Sequence, residues 1–85
     1  MLYPKIHTIY RTEKLIGKSS AAYRLYELSD EDGSDYLFCV KFKGMVNRCT
    51  LGCETMEEAG QRFSLLVRGS TTPLSLDDTV HDLFE

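Results

Sequence analysis

Polar and apolar positions alternate through the first half of the chain, and a helical spacing of about 3.6 residues replaces this alternation in the last third. In residues 5–15, Ile6, Thr8, Tyr10 and Thr12 fall in one phase, and Lys5, His7, Ile9, Arg11 and Glu13 in the other. Their β-branched and aromatic content predicts a first strand. Gly17-Lys18-Ser19-Ser20 then turns the chain into a second strand over residues 21–28, followed by a polar connection, residues 29–34, with Asp32-Gly33 at its centre. The third strand has the clearest pattern. Tyr36, Phe38, Val40 and Phe42 point to one side, and Leu37, Cys39, Lys41 and Lys43 to the other. Gly44 breaks this run, and residues 45–51 return as a fourth strand.

Beyond residue 52 the period changes. Thr55 and Glu58 have the spacing of a capping box, in which hydroxyl and carboxylate satisfy the N–H groups left unpaired by the first helical turn. Met56, Ala59, Phe63, Leu66 and Val67 then form one stripe of a helix over residues 56–68, with Glu57 and Glu58 at its positive end, Arg68 at its negative end and Gly69 as its stop. After Pro73, Ser75 is placed to cap a second helix, residues 76–84, with Leu76, Val80, Leu83 and Phe84 on one face. A helix that short persists only when docked. The pattern predicts an α+β fold, one domain over residues 1–85. Four antiparallel strands form a meander, and two C-terminal helices pack on the face that carries Tyr36, Phe38, Val40 and Phe42.

Length sharpens this picture. At 85 residues the chain has material for one core, and ordering it costs on the order of 1.5 kcal/mol per residue, so apolar residues are needed first for structure. A hydrophobic fraction of 42% with 27% charged residues is that of a folding chain, not a disordered one. The longest uncharged apolar run, residues 37–40, is far short of the roughly 20 residues of a membrane span. The N-terminal residues 1–7 lack the basic and apolar regions of a signal peptide. Cys39, Cys49 and Cys53 are odd in number, and the only Asn, Asn47, is followed by Arg48-Cys49, which is no glycosylation site. These features point to a reducing cytoplasm and away from membranes.

The net charge of −3 is unevenly distributed. Residues 1–52 carry eight basic and six acidic groups, net +2, whereas residues 53–85 carry two basic and seven acidic, net −5. Such a division suits an acidic interaction segment or packing between complementary subunits, but no run of like charge exceeds three residues, so two solvated surfaces of different helix and strand composition are the favoured reading.

The segment Thr50-Leu51-Gly52-Cys53-Glu54-Thr55-Met56-Glu57-Glu58-Ala59, with its helix and the tail from Pro73 to Phe84, resembles a small uncharacterised domain family of clostridial Firmicutes. The likeness spans roughly the last forty residues and consists of helix caps and apolar spacing. Pro73 ahead of Leu74-Ser75, and Thr79 where the family usually has Val, depart from it. The resemblance implies a few strands before a helix and a bacterial cytoplasmic origin, and it implies no activity.

Candidate chemistry is sparse. Gly17-Lys18-Ser19 matches the end of a phosphate-binding loop, but Thr12 stands where that motif needs Gly, and a strand follows instead of a helix. Cys49 and Cys53 have three residues between them, a spacing compatible with zinc, with Cys39, His7 or His81 as further ligands. On a continuous strand their sulfurs would stand roughly 13 Å apart, so only a bend at Gly52 would bring them together. The cysteines are read as small hydrophobes filling the core. His81 follows Asp77 by one helical turn, which is half of a nucleophile-activating arrangement, but no nucleophile elbow accompanies it. Beside Asp78, Asp82 and Glu85, it reads as a solvated residue near a helix C-terminus. No catalytic, cofactor or metal site is assigned, and none is expected.

One surface remains. The sheet face opposite the helices combines Arg24, Tyr26, Leu28, Leu37, Cys39, Lys41 and Lys43. An ordinary half-exposed sheet face accounts for these residues as well as binding does; if the face binds, Arg24, Tyr26, Leu37, Lys41 and Lys43 are the candidate contact residues of a non-enzymatic domain acting through protein contacts or as a homodimer. The alternative is single-stranded nucleic acid held by stacking and phosphate contacts. An acidic pI near 5.3 and the lack of an RNP-type aromatic motif disfavour it.

Overall fold

The computed structural model describes residues 5–84. The reading of residues 1–4 as free of a signal peptide, and of Glu85 as a neighbour of His81, lies outside the described residues. Strands β1 (Lys5–Ile16), β2 (Ser19–Asp30), β3 (Gly33–Phe42) and β4 (Met45–Thr50) form one antiparallel sheet in the order β1-β2-β3-β4. Helices α1 (Met56–Arg68) and α2 (Leu76–Phe84) follow and pack on one face of it.

Short turns set the pairing. Gly17-Lys18 joins Ile16 to its partner Ser19, with Gly17 at φ 64°. Glu31-Asp32 joins Asp30 to Gly33, and Lys43-Gly44 joins Phe42 to Met45. Both residues of the last turn have positive φ, 52° at Lys43 and 78° at Gly44, as the twist of a two-residue hairpin requires.

The buried face follows from the pleat. Ala21, Tyr23 and Leu25 of β2 and Tyr36, Phe38 and Val40 of β3 meet Ala59, Phe63 and Leu66 of α1 and Leu76 of α2. Burying a side chain such as Leu25 or Phe38 contributes on the order of 2 kcal/mol, so the core depends on keeping this phase. Phe63 lies at the centre, its ring 5.8 Å from both Tyr10 and Phe38. Gly60 leaves room for Tyr10 on the helix, since a Cβ there would stand 3.3 Å from the ring.

β1 departs from strict alternation. Its register shifts between Thr8 and Tyr10, a bulge that turns both Ile9 and Tyr10 toward the helices. Ile6 and Thr8 therefore share the outer face with Arg11 and Glu13, while Tyr10 and Thr12 face inward, so the single phase expected for Ile6, Thr8, Tyr10 and Thr12 is corrected. Lys14 also faces inward at the sheet edge. Its Nζ donates to the carbonyls of Val67 at 3.0 Å and Arg68 at 3.2 Å, where the negative end of α1 favours a cation.

The helix ends refine other expectations. Thr55 Oγ1 accepts from the Glu58 N–H at 3.1 Å, but the Glu58 carboxylate pairs with Arg62, also at 3.1 Å, rather than closing a capping box. At the other end the left-handed residue is Ser70, φ 52°, while Gly69 keeps φ −75°. Ser70 N–H donates to Val67 and Thr71 N–H to Leu66, completing a Schellman motif. The Ser75 hydroxyl accepts from the Thr72 N–H at 2.9 Å and so shapes the preceding turn. Met56 and Leu83, expected on apolar stripes, are about half exposed at the layer's rim, 44% and 50%.

Candidate binding face of the sheet

Residues paired across antiparallel strands point to the same side of the sheet, so the register places every side chain on the uncovered face. One cross-strand row holds Arg11, Arg24, Cys39 and Arg48, on β1, β2, β3 and β4 in turn. The next row holds Glu13, Ala22, Lys41 and Val46. On the other side of the arginines lie Thr8, Tyr26, Leu37 and Thr50. Neighbouring strands are about 4.8 Å apart, so three guanidinium stems share a strip roughly 14 Å across.

This arrangement is not one that folding favours. Arg11 faces Arg24 directly, and like charges in that position repel. The arginines and Lys41 are exposed, while Ala22, Tyr26, Leu37 and Cys39 lie lower and half-buried. Long cationic side chains thus stand around a floor of short ones. Two depressions result, sharing Ala22 and Arg24. One of about 470 Å³ is lined by Arg11, Glu13 and their neighbours, and one of about 250 Å³ by Tyr26, Cys39, Lys41 and Val46. Arg24 Nη1 donates to the Tyr26 hydroxyl at 3.4 Å. That hydrogen bond is the main reason the Arg24 guanidinium holds its proton even more firmly than usual, with Glu13 adding a small push in the same direction.

Of the expected contact residues, Arg24, Tyr26, Leu37 and Lys41 lie together on this face. Lys43 does not. It is in the β3–β4 turn, with its Nζ 5.4 Å from the Phe42 ring, so its expected place on the strand is corrected. Arg11 and Arg48, absent from the sequence-based set, complete the row.

The cysteines divide. Cys53 is buried in the core and Cys49 packs against it, and burial raises both thiol pKa values. Cys39 is on the open face between two arginines, as the alternation of β3 places it, so the reading of the cysteines as core filling fails for this one. Gly52 does bend the chain, at φ 52°, yet among the described residues no three of His, Cys, Asp or Glu are grouped to hold a metal ion. Gly17-Lys18-Ser19 is a hairpin turn leading into β2. Asp77 and His81 are exposed on α2, in the layer on the opposite side of the sheet. Among the described residues every buried side-chain nitrogen or oxygen has a hydrogen-bond partner, so the interior is accounted for by folding.

No family model, curated protein or solved structure matches the chain. The functional reading therefore rests on the geometry of the open face.

Proposed function

We propose that this is a non-enzymatic bacterial domain of the cytoplasm that binds another protein through the open face of its sheet. One observation carries the reading: the row Arg11, Arg24, Cys39, Arg48, with Lys41 beside it, on the face that the helices leave uncovered. A fold gains nothing by placing two arginines opposite each other, whereas a partner with carboxylates gains charge-assisted and bidentate contacts. Half-buried Leu37 and exposed Val46 add apolar area beside the charges, the mixture that protein interfaces use. Three free thiols suit a reducing compartment. No helix among the described residues is long and apolar enough to cross a membrane. The bacterial origin rests on the C-terminal resemblance.

Single-stranded nucleic acid is the second reading, favoured by Tyr26 beside the arginine row. Tyr26 is the one aromatic on the open face among the described residues, whereas sheet-based RNA readers stack two or three bases. An acidic protein segment fits better.

The test is an NMR titration of ¹⁵N-labelled protein at low salt with a poly-glutamate peptide and, separately, with oligo-dT. The expected result is that the peptide shifts amides around Arg11, Arg24, Lys41 and Arg48, and that Arg24→Glu abolishes the shifts. Response to oligo-dT alone would transfer the face to nucleic acid. No response to either would overturn the open face as a binding site.

A further inference from the structure

The second layer of the molecule carries the opposite charge. On the exposed surface of α1 and α2, the acidic groups Glu57, Asp77, Asp78 and Asp82 outnumber the one exposed arginine, Arg68. We infer that a second copy of this chain is the partner, bound head to tail, with the basic sheet face of one copy seated on the acidic helical layer of the next. This rests on the reading of the open face as a protein-binding surface and names what it binds.

Two features support a second copy in this orientation. First, the two faces complement each other in charge, and each also exposes apolar groups: Val46 and Leu15 on the sheet, Leu65 and Leu83 on the helices, all between 47% and 71% exposed. Second, a symmetric dimer joined sheet face to sheet face would set two arginine rows against each other. That like-charge contact costs several kcal/mol in an interface, so the symmetric arrangement is disfavoured.

A contact between two different faces is heterologous. Each added copy presents a fresh sheet face at one end and a fresh helical layer at the other, so association continues into a chain of copies unless it closes into a ring. Because the contacts are largely between exposed charges, salt weakens it.

Sedimentation velocity on the wild type and two surface variants tests this. The wild type is expected to sediment faster as its concentration rises from low micromolar to submillimolar at low salt, and to revert to monomer at about 0.5 M salt. Arg24→Glu/Arg48→Glu removes the sheet contact and Asp78→Asn/Asp82→Lys removes the helical one, so each variant alone stays monomeric. Mixed, they form a one-to-one dimer that grows no further, since each supplies the one face the other lacks. A mixture that stays monomeric, or a wild type that stays monomeric at every concentration at low salt, overturns the inference. The wild-type series decides this even where a variant fails to fold. If the poly-glutamate titration still shifts the open face in that case, the binding reading stands without self-association; if it too is silent, both fall.

Discussion

Tyr23 ties the sheet to the end of α1. Its hydroxyl donates to the buried Thr71 carbonyl at 2.8 Å, and the Thr71 hydroxyl donates to the Leu66 carbonyl at 2.7 Å. Tyr23→Phe leaves a buried carbonyl without this donor and is expected to cost about 1–2 kcal/mol, read as a lower urea midpoint with unchanged slope. The same residue contributes to the pH dependence. Burial raises the Tyr23 phenol above its ordinary 10.0 and the Cys49 and Cys53 thiols above their ordinary 9.0. Between the unfolded and folded pKa values the native state holds more protons than the unfolded one, so stability falls as pH rises. Urea midpoints should hold up to about pH 9 and decline beyond it, and Tyr23→Phe should soften the part of the decline above about pH 10. A midpoint that rises between pH 9 and 11 would contradict this.

At the scale of elements, the end of α1 offers a direct check. Ser70 occupies the left-handed position of the Schellman motif, where an L side chain costs about 1–2 kcal/mol, while glycine gives back up to about 1 kcal/mol through its freer unfolded chain. Ser70→Gly should therefore stabilise the protein by about 0.5 kcal/mol, a small upward shift in Tm; a fall in Tm would contradict the geometry. The sequence shows Gly69 as a stop but not which residue turns left-handed, because that depends on where the last helical hydrogen bond closes. Helix α1 is legible at its observed bounds from its Thr55 cap and apolar spacing, and α2 from apolar spacing, since the Ser75 hydroxyl turns back to Thr72 instead of capping it. The third strand was legible because Tyr36, Phe38, Val40 and Phe42 alternate without interruption. Two arginines of the candidate site escaped for a specific reason. Once Gly17-Lys18, Glu31-Asp32 and Lys43-Gly44 are recognised as two-residue turns, register alone aligns Arg11, Arg24, Cys39 and Arg48, but single-strand periodicity carries no register. Adjacent Ile9 and Tyr10 are the one sequence hint of the bulge that reverses the phase of β1.

The whole molecule has two layers, a sheet whose open face carries mainly basic groups and a pair of helices whose exposed surface carries more acid than base. Part of the uneven charge visible in the sequence becomes a difference between the two sides: Arg11, Arg24, Lys41 and Arg48 lie on the open sheet face and Glu57, Asp77, Asp78 and Asp82 on the exposed surface of the helices, while Lys14 reaches the end of α1 and Glu31 and Asp32 lie in the β2–β3 turn. The cysteines follow the same division, two with the core and one among the arginines. If the arginine row serves binding and not folding, as proposed, replacing Arg24 by Thr separates the two roles in a single denaturation and binding experiment. Threonine suits a strand and removes the repulsion from Arg11, so the account predicts a stability gain of about 0.5 kcal/mol together with loss of the poly-glutamate response. A variant that is less stable than wild type, or that still binds the peptide as the wild type does, would contradict it.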